Sequence, residues 1–459
     1  MVLPTPKVMH ILANSVPDLN GYAIRSHDLL VSLKTANICE PFVLTSPYYP
    51  DREAMREDAL VDGIEYNRSM LQSSKSRVNK NLGFNVSKTK PLMIRAPKYV
   101  IYKSKMLFKI LVRPAYNRVS MFRKFLGEKK MMRMFEKEII SRAKIHQPDI
   151  IHAHTPFRVG LPALRAARKL KIPFIYEVRG MWEDSAVAQG RWTPKSIPYR
   201  YYRNQENKVI KYADEVIVIG ENLMKEIVGR NLTLKSPTMV PNAVGRDMAS
   251  YPLKFENQIP ENVIELIHRL KLNDSTIVVG YIGSLRKLEG VDDTAKAVAQ
   301  CVHNGLDIRF LVCSSKANQN HLRDLCLDLG IENQTFIEGP FPHNEIVHFY
   351  DLIDIFVVSR PDTTVTRIVP PIKPLEAMIR EKPTVVAHLP ALCEIIQHRV
   401  TGMTFPAEDV DALSSVIFEL VSNLDLRNEL GEASRQYVLN QRTWPKIVHK
   451  YQQIYQRYS

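Results

Sequence analysis

This sequence has no long apolar run. Its longest, such as Glu215–Ile219 and Thr276–Ile282, are strand-sized, well short of the roughly 20 residues a membrane-spanning helix needs. The N-terminus shows no apolar stretch followed by a small-residue cleavage site, because Lys7–Ala13 already reads as a strand. A cytoplasmic start is expected. Cysteine is sparse: Cys39, Cys301, Cys313, Cys326 and Cys393 are odd in number and scattered, with no Cys-x-x-Cys pair and no Cys/His metal spacing. That excludes a disulfide framework and reads as small buried hydrophobes in a reducing compartment. No repeat of roughly 20–50 residues is detectable. No recognisable nucleic-acid module accompanies the positive charge, so nucleic acid is not an expected partner.

What is present is ordinary for a soluble enzyme. At 459 residues, 45% apolar and 24% charged, the chain is too long for one core and divides by default into two domains. Short β-branched runs alternate with helical stretches, the pattern of parallel α/β architecture. Strands are predicted near Lys7–Ala13, Phe42–Thr45, Asp149–Ala153, Phe174–Val178 and Glu215–Ile219. A second set falls near Thr276–Ile282, Arg309–Val312, Thr335–Glu338, Ile355–Val358 and Thr384–Ala387. Helices such as Leu161–Leu170, Val291–Cys301, Asn320–Leu329 and Pro374–Arg380 follow them, and the polar stretch Pro241–Asn273 reads as the linker.

The net charge of +15 is unevenly spread. Lys88–Lys144 holds seventeen Lys or Arg against three acids, Glu128, Glu136 and Glu138, a net of +14. Aromatic and aliphatic side chains are interleaved from Tyr99 to Phe135, with helical spacing over Met106–Phe135 interrupted at Pro114. Two readings stay open: a solvated lysine-rich face, or an amphipathic surface that sits on anionic lipid.

Ligands of open parallel sheets bind beyond the carboxyl ends of the strands, so five loops are candidates. Asn14–Tyr22 ends in Gly21 before a helix-like run, where glycine permits close backbone approach and a helix start favours anions; a plain turn glycine is the alternative. His152-Ala-His154 closes the third strand. Its two histidines point the same way, but no third ligand is evident, so no metal is expected and His154 is read as reaching a ligand hydroxyl. Arg179-Gly-Met-Trp182-Glu183-Asp184 packs a cation, an aromatic ring and two carboxylates into one loop, a mixture suited to sugar rings. Carboxylates adjacent in sequence seldom straddle a substrate, which argues against hydrolase chemistry. Gly283–Gly290 is the fourth loop. The fifth, Ser359–Glu376, carries Arg360, Arg367, Lys373 and Glu376 around a helix start where Pro374 is well tolerated; free amides, dipole and three cations make a diphosphate site. Asp409-Val-Asp411 precedes a helix-like run and reads as an end cap.

The segment Lys373-Pro-Leu-Glu-Ala-Met378, continuing as Glu381-Lys-Pro-Thr-Val-Val-Ala387, resembles the donor-binding signature of family 4 retaining glycosyltransferases, which have the GT-B fold. Family-like pieces occur in order around it: the Gly21 loop, Pro148–His154, Ala213–Val218, Val240–Ala243, Gly280–Gly283, and the tail Leu430–Arg435 with Trp444. The likeness covers nearly the whole chain apart from the basic insertion. It implies an α/β architecture of two Rossmann-like domains facing across a cleft. Residues 1–245, with the insertion at about 75–146, would bind acceptor; residues 246–430 would bind the nucleotide-sugar; 431–459 would supply a helix, about Glu432–Tyr455, crossing back onto the first domain. Glu376 would accept hydrogen bonds from ribose hydroxyls, His154 would contact the transferred sugar, and Gly21 would lie against phosphate or acceptor. Arg179, Glu183 and Asn242 are assigned to the substrate.

Three positions depart from the family's pattern. Ile368 stands where a first glutamate usually sits eight residues before Glu376, and Ser284 and Glu289 replace the usual Arg and Lys of the Gly283 loop. Arg286, Arg360, Arg367 and Lys373 can rebuild the diphosphate site; Lys373, Arg286 and His154 are the catalytic candidates, and Gly283 and Ser284 line the donor. Arg367–Met378 with Glu177–Asp184 also resembles a bacterial subgroup associated with exopolysaccharide clusters. The expected activity is retaining, metal-independent and cofactor-free transfer of a sugar from a nucleotide-diphosphate sugar to a glycan or lipid-linked acceptor, in cell-surface polysaccharide or glycoconjugate synthesis. The protein would sit on the anionic inner face of the cell membrane through residues 88–144. A nucleotide-sugar epimerase of the same fold and a non-catalytic GT-B subunit are the alternatives.

Overall fold

Two parallel sheets order the molecule. The computed structural model describes residues 5–18, 20–48, 58–69, 71, 113–232, 236–253, 259–342 and 345–459. Within these, Lys7–Leu12 (β1), Glu40–Thr45 (β2), Ala59–Val61 (β3), Ile64–Arg68 (β4), Ile150–His154 (β5), Phe174–Val178 (β6), Glu215–Val218 (β7) and Thr238–Met239 (β8) form one sheet. Its order is β3-β4-β2-β1-β5-β6-β7-β8, parallel except between β3 and β4. The second sheet joins Ile277–Ile282 (β9), Ile308–Cys313 (β10), Thr335–Glu338 (β11), Ile355–Val358 (β12), Thr384–Ala387 (β13) and Met403–Phe405 (β14). Its order is β11-β10-β9-β12-β13-β14, parallel throughout.

Strands β5, β6, β7 and β9 are buried at every residue, as β-branched runs are when helices cover both faces of a parallel sheet. Strand order reverses between β1 and β5 and between β9 and β12, the points where ligand crevices open. Each sheet has its own core, one around Ile151, Phe174 and Val218, the other around Val279, Phe310 and Phe356. This is the doubly built α/β architecture the resemblance implies.

The ten expected strands are present within two residues, and β6, β11, β12 and β13 match residue for residue. Other features need correction. The stretch Pro241–Asn273 is not all linker: it contains the helix Glu261–Leu270, whose Val263, Leu266 and Leu270 enter the second core. The basic insertion lies outside the described residues up to position 112. From there it forms one helix, Arg113–His146, unbroken by Pro114, because proline in a first turn forfeits no helical hydrogen bond. Cys393 is exposed, unlike the other four cysteines. Asp409 accepts the Ala412 amide at 2.9 Å and caps the helix Val410–Ser422.

The helix Leu424–Gln441 stays with the second domain, where Ser434 and Arg435 bond the carbonyls of Met378 and Ile379. The chain crosses back only at Arg442–Trp444, where the Val244 amide donates to the Arg442 carbonyl at 2.8 Å. Trp444, Tyr451 and Tyr455 are then buried against Val8, Leu29, Ile150 and Ile175. Other contacts join the domains. Glu394 accepts the amides of Glu221 and Asn222 at 2.8 Å each, at the start of the helix Glu221–Gly229. Ile368 and Val369 pack on the first-domain core. The helix Trp182–Ala188 lies against Lys287–Glu289, so the strand-end loops of the two sheets face each other.

Candidate functional site

Strands β9 and β12 end side by side, and two glycines let the following loops converge. Gly283 has φ +152, and a Cβ there would stand 2.2 Å from Lys373 Cε; only glycine lets the lysine cross. Gly290 has φ +72, and its Cβ would meet the Ser359 carbonyl oxygen at 1.7 Å. These approaches gather three cations on one fully buried carboxylate, that of Glu289. Lys373 Nζ lies 3.2 Å from Glu289 Oε2, Arg360 donates to the same oxygen through Nε and Nη2 at 3.1 Å each, and Arg286 Nη2 donates to Oε1 at 2.9 Å. Burial alone would raise the Glu289 carboxyl, but Arg360, Lys373 and Arg286 hold it well below the usual carboxylate range. Burial draws the Lys373 ammonium down, with Glu289 opposing. Three cations and one anion leave a net charge of +2.

The other donor-site candidates make separate contacts. Arg286 Nε donates to Ser284 Oγ at 3.0 Å, and Glu376 accepts the Tyr350 hydroxyl at 2.7 Å. Arg367 does not join the cluster: it is exposed and bonds both Asp362 oxygens at 2.7 and 3.0 Å, because the turn Thr364–Ile368 turns Val365 inward and Arg367 out. The helix Lys373–Ile379 has only seven residues, so its dipole adds little beside the side-chain charges.

The facing domain presents a second buried cluster at the carboxyl ends of β1, β5 and β6. Parallel register sets His10 across from His152 and His154 across from Glu177. The Glu177 carboxylate accepts from Arg25 Nη1 at 2.6 Å, Arg179 Nε at 2.9 Å and the Tyr451 hydroxyl at 2.8 Å. Burial would raise this carboxyl, but Arg25 and Arg179 hold it well below the usual range. Burial lowers all three histidines and keeps them neutral. Arg179 also donates to Ser26 Oγ and to His154 Nδ1, at 2.6 Å each.

His10 is the third histidine that spacing alone did not reveal. The ligand atoms of His10, His152 and His154 lie within 4.8 Å of one another. At His154 the hydrogen bonds work against a metal, whereas His10 Nε2 and His152 Nε2 are buried with no hydrogen-bond partner. Arg179 can only donate, so His154 Nδ1 accepts and the ring proton sits on Nε2, which points at His10 Nδ1 3.1 Å away. A metal ligand needs a bare ring nitrogen there, and two guanidiniums already share Glu177. His10 and His154 share that bond, and His152 Nδ1 meets the Tyr455 hydroxyl at 2.9 Å instead.

The other expected site residues are more enclosed than a substrate contact requires. His154 is 1% exposed with both ring nitrogens engaged, and Arg179 is consumed by Glu177, Ser26 and His154. Glu183, also 1% exposed, faces Arg230 Nη2 at 3.6 Å inside the first domain, because its helix turns Trp182 outward and Glu183 in. Asn242 is buried between domains. Gly21 opens the helix Gly21–Thr35, but the Asn20 side chain already accepts the Tyr22 and Ala23 amides at 3.0 and 2.9 Å, and Asp18 lies beside Asn20 at 2.6 Å. Space beside Gly21 is open, with nothing within 4 Å of an added Cβ. Sequence reasoning missed the joining roles of Glu289, Arg25, Glu177 and Tyr451. Pairing β1 with β5 would have signalled His10; nothing local signals Tyr451.

Comparison with known proteins agrees with this geometry. Residues 263–437 match the family described as glycosyl transferases group 1, and residues 103–247 match glycosyltransferase family 4. The chain is 24% identical over 345 residues to the capsular polysaccharide biosynthesis glycosyltransferase CapM of Staphylococcus aureus, covering 74% of this chain and 83% of CapM. It is 21% identical to the alpha-monoglucosyldiacylglycerol synthase of Streptococcus pneumoniae, covering 67% of each. Among solved structures, sucrose-phosphate synthase from Thermosynechococcus elongatus superposes with a TM-score of 0.69 at 14% identity over 98% of both chains. Anabaena HepE in complex with UDP-glucose does so at 0.65 and 14%, over 98% of this chain and 99% of HepE. Both share the GT-B fold.

Proposed function

The chain belongs to the family 4 glycosyltransferases of GT-B fold, and we propose that it is a retaining, metal-independent member. It moves a sugar from a nucleoside-diphosphate sugar to a glycan or lipid-linked acceptor in cell-surface polysaccharide or glycoconjugate synthesis. The observation that carries this reading is the +2 cluster of Arg286, Arg360, Lys373 and Glu289 beyond β9 and β12. The diphosphate linkage of a nucleotide-sugar carries two negative charges, and more charge gathers on it as the sugar departs. Fixed cations stabilise that charge without reorganising, the largest single contribution in many enzymes. The acceptor oxygen attacks on the face the diphosphate leaves, and a donor phosphate oxygen takes its proton. Glu376 receives the ribose hydroxyls. The HepE complex with UDP-glucose supports the donor class, and the likeness to the capsular polysaccharide glycosyltransferase CapM and to the alpha-monoglucosyldiacylglycerol synthase supports polysaccharide and lipid acceptors.

Among the described residues no helix is long and apolar enough to cross a membrane, and association with the surface is assigned to Arg113–His146. Its acids turn inward: Glu128 pairs with Arg158, Glu136 meets Lys169 at 2.6 Å, and Glu138 accepts Ser69 Oγ at 2.5 Å. The exposed side carries Arg123, Lys129, Lys130, Arg133, Lys137 and Lys144 with Leu126, Met134 and Ile145 among them, a face suited to anionic headgroups. The test is incubation with a nucleotide-sugar panel and lipid-linked acceptors in chelator, following nucleoside diphosphate release and the anomeric configuration of the product. Release with retained configuration is expected; an inverted product, or release without any acceptor product, contradicts the proposal.

A further inference from the structure

Glu289 stands where the family's pattern has a lysine, yet it is the group on which the second-domain site converges. Resting on the glycosyltransferase reading, we infer that Glu289 is a positioning residue. It holds Arg360, Lys373 and Arg286 in the arrangement that meets the donor diphosphate, and by cancelling one of their three charges it matches the pocket to a dianionic diphosphodiester.

Three observations carry this. Glu289 is fixed from both sides: its amide donates to the Arg286 carbonyl at 2.8 Å, and the next carbonyl, of Gly290, accepts Ser359 Oγ at 2.7 Å. The backbone that carries the carboxylate is therefore anchored, and the three cations converge on it. Second, among the described residues Glu289 is the sole ion-pair partner of all three cations. Without it, two arginines and a lysine in one pocket would repel and splay, and ordering their long side chains would fall to each binding event. Third, exposure is graded. The Arg360 side chain is 8% exposed and also donates from Nη1 to the Val369 carbonyl at 3.2 Å; Lys373 is 19% and Arg286 49% exposed. An ion pair that only braced the fold would not leave two units of charge uncompensated.

Removing the charge should therefore separate binding from turnover. Glu289→Gln raises the net charge from +2 to +3, which favours ground-state anions, but frees the cations from their positions. Inorganic pyrophosphate, titrated calorimetrically at several salt concentrations, reads the binding side without needing donor, acceptor or catalysis. Donor kinetics on the same preparations read kcat and KM, and thermal unfolding reads the folded fraction. Glu289→Gln should bind pyrophosphate at least as tightly as wild type with a steeper salt dependence, while kcat falls roughly tenfold or more and KM stays level or drops. Glu289→Asp, which keeps the charge on a shorter arm, should recover part of kcat. Wild-type kcat in Glu289→Gln overturns the inference, as do losses in both variants that track the folded fraction alone. Should the wild type turn over no donor while pyrophosphate binding responds as described, the glycosyltransferase reading fails and the charge-matching role of Glu289 stands.

Discussion

Asn242 Nδ2 donates to the Pro370 carbonyl at 2.8 Å while its Oδ1 accepts from Arg25 Nε, also at 2.8 Å. One buried amide thus ties the second domain to the helix Gly21–Thr35 and, through Arg25, to the Glu177 cluster. Truncating Asn242 to Ala leaves a guanidinium nitrogen and a carbonyl buried without partners, a cost of about 1–3 kcal/mol. The denaturation midpoint should fall accordingly, and an unchanged midpoint would dissolve this link.

Glu206 should make stability depend on pH. Burial, with Glu183 adding, pushes its carboxyl from 4.5 up to about 8, while the Tyr176 hydroxyl and the Phe157 amide donate to it. The folded protein keeps a proton there that the unfolded chain releases. This contribution to stability is full below about pH 4.5 and is lost as pH rises through about 8, at a slope of at most about 1.4 kcal/mol per pH unit. Glu206→Gln should match wild type near pH 5 and exceed it near pH 8 in denaturant titrations. Parallel curves for the two proteins would show that Glu206 does not carry the proton.

The exposed face of Arg113–His146 should bind anionic vesicles. Changing Lys130, Arg133 and Lys137 together to Gln removes three surface cations, each contributing about 1 kcal/mol near an anionic surface. Partitioning should weaken on the order of a hundredfold. Flotation with anionic and neutral vesicles measures it; equal recovery of the wild type on both would rule out an electrostatic attachment.

The sequence made the central strands legible because their β-branched runs are buried on both faces. It hid β4, Ile64–Arg68, because polar Asn67 and Arg68 are buried there, Arg68 satisfied by Ser15 Oγ at 2.7 Å and the Val16 carbonyl at 2.8 Å. The helix Glu261–Leu270 was masked by charges between its three buried positions. In the site, the cations of the 359–376 loop were readable from composition, but which of them converge was not. Arg367 differs from Arg360 only in the direction its backbone gives it. Glu289 looked like a loss of charge, since its partners come from two loops that only the sheet brings together. His10 and Tyr451 lie 142 and 299 positions from His152, joined to it by strand register and by the returning C-terminal segment.

In the proposed reaction Arg360 and Lys373, rather than a metal, stabilise the departing diphosphate. Steady-state kinetics of Arg360→Ala, Lys373→Ala and Arg367→Ala in chelator test this most directly, with Arg367 as the internal control outside the cluster. Charge on the leaving group peaks in the transition state, so the first two variants should lose kcat by roughly a hundredfold, far more than donor KM changes. Arg367→Ala should stay near wild type. Wild-type turnover in both Arg360→Ala and Lys373→Ala, or loss of wild-type activity in chelator with recovery on adding a divalent cation, would contradict the account.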